Sequence, residues 1–265
     1  MLYLNNQGRS ESLSYSKSIS MSGHSKWSTI KRKKGVTDAK RGAEFTKLGR
    51  LIEVAARYGA DLEMNPRLKL AVQKARSGNM PMANIEKAIR KGAGLDADKS
   101  QIEEVVYEGL GPGNVAVTIQ TLTDNRNRTV SELRNIFVKA GGSLGNNGSV
   151  AWQFQQRGVL IVPKTEPDME MKFIDAGASD FQDTDDTWEV YTQPKDLNQV
   201  KQNLTIAGVK VLEDKLTMVP TTTTKITDAA LAKKVLNLMD VLDENPDVSE
   251  IFANFDIDDN LLEVE

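Results

Sequence analysis

Apolar residues recur along this chain first at helical spacing and then at strand spacing. From Asp38, a good helix cap, the residues Phe45, Leu48, Ile52 and Ala55 fall 3, 4 and 3 apart and predict a helix to about Tyr58, stopped by Gly59. Lys40, Lys47, Arg50 and Arg57 fall on its other side. A second helix opens at Asn65-Pro66, with proline at the first helical position, and stops at Gly78. A third runs from Pro81 to Gly92, with Met82, Ile85 and Ile89 inward and Lys87, Arg90 and Lys91 outward. Three short amphipathic helices with short links predict a small bundle.

After Gly94 the period changes. Glu103–Glu108 and Val115–Leu122 alternate as strands around the turn cluster Gly109–Gly113. Thr129 and Glu132 have capping-box spacing, which predicts a helix Val130–Ala140 ending at Gly141-Gly142. Val150–Gln155 and Val159–Val162 read as a strand pair turning at Arg157-Gly158. Then follow a helix Asp168–Ala176, strands Asp180–Asp183 and Thr187–Thr192, and a helix Asp196–Ala207 closed by Gly208. A strand near Lys215–Val219, a helix Asp228–Leu242 and a strand near Glu250–Phe255 complete the pattern. Antiparallel strand-strand-helix units argue for an α+β fold and against a doubly wound parallel sheet. The length, 265 residues, suits two or three domains.

Composition narrows the chemistry. There is no cysteine, which excludes a disulfide framework, a zinc ribbon, an iron–sulfur cluster and a thiol nucleophile. His24 is the one histidine, so no multi-histidine metal site can form, and a Ser-His-Asp triad would have to use it. The acidic groups Asp183, Asp185, Asp186 and Asp256, Asp258, Asp259 lack the glycine and distal glutamate of a calcium loop and read as solvated. Neither Gly109–Gly113 nor Gly141–Gly148 has the context of a nucleotide loop; both read as turns. The reading is therefore binding, with no enzyme activity, no metal and no cofactor. The longest apolar run, Gly158–Pro163, is strand-sized, so no membrane span is expected. Residues 1–20 are Ser-rich without the apolar core of a secretory signal, only faintly resemble a transit peptide, and are expected to be disordered.

The net charge of −3 conceals a split. Residues 21–100 hold 18 Lys+Arg against 8 Asp+Glu, whereas residues 101–265 hold 14 against 28. The front is thus +10 and the back −14. Such asymmetry implies either a polyanionic partner for the front or neutralisation within the molecule. Lys26, Lys31, Arg32, Lys33, Lys34, Lys40 and Arg41 crowd one arm and could neutralise phosphates. Trp27 either stacks on a base or anchors the arm on the bundle. Lys47 and Arg50 continue the basic face along the first helix. In the loop Leu122–Thr129, Arg126 and Arg128 sit at a predicted helix N-terminus, where free N–H groups favour anions; the alternative is a turn with solvated arginines.

Ordered blocks then carry a resemblance. Met21-Ser-Gly-His-Ser-Lys-Trp27, Asp38-Ala-Lys-Arg41, Phe45-Thr-Lys-Leu48, Asn65-Pro-Arg-Leu68, Asn79-Met-Pro81 and Lys91-Gly92 resemble the YebC/PmpR family. So do Tyr107-Glu-Gly-Leu-Gly-Pro-Gly113, Leu122–Val130 and Gly141-Gly-Ser-Leu-Gly145. The resemblance runs from Met21 to the end; the family begins at that position, so residues 1–20 form an extension, either a misassigned start or a targeting segment. It implies a helical N-terminal domain, 21–100, and two α+β domains around a cavity. One of these is discontinuous, about 101–147 plus 216–265, with about 148–215 inserted into it. It also implies a DNA-binding transcriptional regulator in the cytoplasm. Relatives that include the mitochondrial translational activator of cytochrome oxidase subunit I imply instead a ribosome-associated factor acting on RNA. A protein-interaction scaffold, in which the acidic body docks a basic partner, is the next class, and a carboxylate-metal hydrolase, for which only acidic residues could serve, is the last.

Overall fold

The computed structural model describes residues 38–96, 102–165, 168–184, 187–258 and 261, with side chains from residue 42 onward. Helices α1 (Asp38–Ala56), α2 (Pro66–Ser77) and α3 (Met82–Gly92) form the bundle. Their shared core is Leu48, Ile52, Ala55, Leu68, Val72, Ala75 and Ile85. Buried Asn65 knots the first link. Its Oδ1 accepts the Leu68 N–H that opens α2 at 3.0 Å, and its Nδ2 donates to the carbonyls of Ala55 and Gly59, both at 2.8 Å. One side chain thus satisfies backbone groups at the end of α1 and the start of α2. Met82, expected to face inward, is instead exposed at the first turn of α3, and Ile85, Ala88 and Gly92 fill the contact.

Strands β1 (Glu103–Leu110) and β2 (Ala116–Thr123) pair antiparallel along their whole length. Helix α4 (Arg126–Ala140) and the short strand β3 (Ser143–Leu144) follow. The expected hairpin at Arg157-Gly158 does not form. Residues 154–163 are one strand, β4 (Phe154–Pro163). The glycine there serves close packing: a Cβ on Gly158 would lie 2.3 Å from Thr192 Oγ1 and 2.9 Å from Leu197 Cδ1. Helix α5 (Met169–Ala176), strands β5 (Asp180–Asp183) and β6 (Thr187–Thr192), helix α6 (Leu197–Ile206) and strand β7 (Glu213–Pro220) complete a sheet ordered β5-β6-β4-β7. Phe173, Phe181 and Trp188 pack there with centroids 5.6–5.9 Å apart, both phenylalanines edge-on to Trp188.

The chain then returns to the first sheet. After β8 (Thr224–Ile226) and α7 (Ala229–Glu244), strand β9 (Val248–Ala253) pairs with β2, giving the order β3-β1-β2-β9. The expected last strand is divided at Asn254, and β10 (Phe255–Ile257) pairs parallel with β8. Strand β2 is covered on both sides. Val117 and Ile119 join Leu133 and Phe137 of α4 and Val235 and Leu242 of α7. On its other face, Ala116 meets Val150, Phe154 and Phe252, while Leu122 meets Val54 of α1. The bundle and the second sheet therefore share one side of the central strand. No helix among the described residues is long and apolar enough to cross a membrane.

The α1–α3 crossing gives a test. A Cβ on Gly92 would sit 2.2 Å from the Glu53 carbonyl oxygen, which is backbone and cannot yield cheaply. Gly92→Ala is expected to destabilise the protein by about 1–3 kcal/mol. Urea denaturation checks it, and an unchanged midpoint would show that the helices have room to separate.

Candidate nucleic-acid interface and the joint behind it

The predicted cations fall into three groups. Lys26, Trp27, Lys31, Arg32, Lys33 and Lys34 lie outside the described residues, as does His24. Lys40 and Arg41 lie on the first turn of α1, and their side chains are outside the description. Lys47, Arg50, Arg126 and Arg128 are described, and the structure places each beside a carboxylate.

Arg50 and Arg128 converge on Asp247, a residue that the sequence reading did not single out. Asp247 follows α7 in the turn Asn245-Pro246-Asp247, and its side chain is 1% exposed. Arg50, from α1, pairs with Asp247 Oδ1 and also donates to the carbonyls of Leu122 and Pro246 at 2.9 Å each. Arg128, from α4, donates to both Asp247 oxygens at 3.0 and 2.9 Å. The Thr129 hydroxyl reaches Oδ2 at 2.6 Å and the Thr123 hydroxyl reaches it at 3.2 Å. The Asp247 N–H donates to Asn245 Oδ1 at 2.9 Å. Two guanidinium groups and two hydroxyls thus surround one buried carboxylate. Burial raises its pKa, but the hydrogen bonds from Thr129, Arg128 and Arg50 more than reverse this and hold it below the usual aspartate value. The same Asp247 contact, with Asp124 at 2.7 Å, pushes the Arg128 guanidinium further up.

Helix α4 begins earlier than the capping-box spacing predicts. Asn125 is the cap, accepting the Arg128 N–H at 3.0 Å, and Thr129 is one turn inside. Its hydroxyl serves Asp247 instead. The anion expected at this helix mouth is therefore one of the protein's own. Arg126 is more exposed and pairs with Glu103. Lys47 contacts both the carbonyl and the carboxylate of Asp243. The face of α1 opposite its apolar stripe is thus a second interface, directed at the sheet. Nothing local marks Asp247: Asn-Pro-Asp is an ordinary turn signal, and the partners of its carboxylate lie 118–197 residues away.

Between α1 and α3 lies a cleft of about 660 Å³ lined by Phe45, Gly49, Arg50, Asn84, Lys87 and Lys91. Lys91 Nζ lies 3.3 and 3.2 Å from the two oxygens of Glu53. Lys87 is exposed at the mouth. Among the described residues no group of three or more His, Cys, Asp or Glu is placed to hold a metal ion.

A family model described as the TACO1/YebC second and third domain matches residues 102–255, and one for the TACO1/YebC N-terminal domain matches residues 25–95. The chain belongs to the TACO1/YebC family. Among its relatives is a "probable transcriptional regulatory protein" of Persephonella marina, 48% identical over 248 residues, covering 92% of this chain and 99% of that one. A protein of the same description from Rubrobacter xylanophilus is 50% identical over 246 residues, covering 91% and 98%. The crystal structure of a conserved hypothetical protein from Aquifex aeolicus matches with a TM-score of 0.72 and 43% identity, covering 86% of this chain and 95% of that one. The TACO1/YebC models match the bundle and the α+β body separately, and Asp247 lies at the joint between those two parts.

Removing the central charge tests that joint. Asp247→Asn leaves the largely buried Arg50 without its anion, while the more exposed Arg128 keeps Asp124, and is expected to cost about 1–3 kcal/mol in urea unfolding at neutral pH. Because the folded pKa of Asp247 is lowered, its contribution is complete above the ordinary aspartate value of about 3.9 and is lost as pH falls through the folded value. The gap between wild type and variant is therefore expected to narrow in acid; a gap of constant size would remove Asp247 as its cause.

Proposed function

We propose that this protein is a non-enzymatic, nucleic-acid-binding regulator of gene expression, acting as a DNA-binding transcriptional regulator. One observation carries the reading: a segment of +10 charge, residues 21–100, in a chain whose remainder is strongly acidic. The relatives' description as probable transcriptional regulatory proteins supports it. The pairing of Lys47, Arg50 and Arg128 with carboxylates narrows the set of cations offered to phosphate. Lys26, Lys31, Arg32, Lys33, Lys34, Lys40 and Arg41, within residues 26–41, make the principal contact, and Trp27 belongs to the same arm. Arg126, more exposed than Arg128, is a secondary contact. Counterion release from phosphates supplies the affinity, and an acidic body directs the polyanion to the arm. The organisation we propose has three parts: the bundle, the body formed around the first sheet, and an inserted unit built on the second.

A salt titration against a DNA duplex tests this. Affinity is expected to fall steeply with ionic strength, with a log–log slope of about −0.9 per neutralised phosphate. Reversing Lys31, Arg32, Lys33 and Lys34 to Glu is expected to abolish most of that slope. Affinity that ignores salt, or that survives the reversal, would refute the reading. Co-sedimentation with ribosomes, with crosslinks to ribosomal RNA in place of DNA, would move the same cationic arm to a translational role.

A further inference from the structure

The loop that leads into β4 presents an aromatic ring that the fold does not use. Trp152 is 71% exposed. Its backbone is fixed on both sides. Before it, the buried carboxylate of Glu108 in β1 accepts the N–H groups of Gly148, Val150 and Ala151 at 2.7, 2.8 and 2.8 Å. Burial raises the pKa of this carboxyl, but the three N–H groups outweigh it and hold it low, so the anchor stays ionised. After it, the Gln153 carbonyl accepts the Thr221 N–H at 2.7 Å, its side chain accepts from Asn254 Nδ2 at 2.9 Å, and Phe154 enters the core. The Trp152 indole N–H donates to the Ser149 carbonyl at 3.2 Å, which fixes one edge of the ring. With its neighbours held, the ring stands in solvent with most of its apolar surface uncovered.

The surroundings favour one class of ligand. Residues 141–153 contain no charged side chain, although the segment lies within the acidic part of the chain. A polyanion meets no carboxylate side chain of this segment there. Asn146, Asn147 and Ser149 are exposed in the same loop and offer neutral donors and acceptors of the kind that pair with base edges. A protein partner would need a broad apolar centre. Within this loop Trp152 is the one large exposed hydrophobic residue.

We propose that Trp152 is a stacking platform for an unpaired base of the bound nucleic acid, held ready by the loop anchored on Glu108. This rests on the nucleic-acid reading above and extends it, because a stacked base belongs to a single-stranded, looped or flipped nucleotide and not to an intact duplex. The basic arm supplies charge neutralisation; Trp152 supplies recognition of an unpaired segment.

The test uses the full-length chain and fluorescein-labelled, unstructured oligouridylate and oligothymidylate of about 12 nucleotides. Trp152→Ala is expected to weaken binding about fivefold or more, whereas Trp152→Phe, which keeps an aromatic face, stays within about twofold of wild type. An oligonucleotide carrying 5-iodouracil is expected to crosslink at Trp152, located by mass spectrometry. Wild-type affinity in Trp152→Ala with no crosslink at Trp152 would overturn the inference; if the Lys31–Lys34 reversal still abolished binding, the nucleic-acid reading would stand. Absence of oligonucleotide and duplex binding by wild type at every salt concentration would overturn both. Loss of a nuclease-resistant protein partner in Trp152→Ala, with oligonucleotide binding intact, would assign the ring to a protein contact and also overturn the inference.

Discussion

A buried carboxylate must be surrounded by donors, and Asp247 meets that demand by joining the bundle to the first sheet. An isolated charge in a protein interior costs several kcal/mol. Here the donors come from two stretches far from it in the sequence: Arg50 from the bundle, and Thr123, Arg128 and Thr129 from the end of the central strand and the start of α4. Asp247 itself sits between α7 and β9. No one of these elements could supply the full shell. Moving the bundle away would strip Arg50 from the carboxylate and also from the Leu122 and Pro246 carbonyls. The joint therefore ties Arg50 of the bundle to one position against the sheet.

That arrangement divides the cations into two populations. Those on the sheet-facing side of α1 and at the start of α4 meet carboxylates of the protein itself. Those before and at the start of α1 are the ones that the proposed function assigns to an external polyanion. The charge split along the chain is thus partly cancelled among the described residues. Central strand β2 makes this possible, because its two apolar faces carry the paired helices on one side and both the bundle and the second sheet on the other.

The elements were legible where one local pattern decided them. The stripe Phe45, Leu48, Ile52, Ala55 and the cap pairs Asn65-Pro66 and Asp228 placed α1, α2 and α7 closely. Legibility failed where a residue's role belonged to a distant partner. Gly158 reads as a turn residue, yet it is a glycine because Thr192 and Leu197 press against it. Thr129 reads as a cap, yet its hydroxyl belongs to Asp247. Glu108 looks like any strand glutamate, and only the folded-back loop shows that its carboxylate organises three amides.

By itself the sequence determined the helical front and α+β body, the family, the exclusion of cysteine chemistry, and the segregation of charge. These depend on composition, on ordered motifs and on periodicity, which are properties of neighbouring residues. Only the tertiary structure decided which cations are neutralised internally, which carboxylates are buried, and which aromatic ring remains in water. Those outcomes depend on the partners found when segments from about 40 to almost 200 residues apart are packed together, and Coulomb attraction and burial act on that final distance, not on position along the chain.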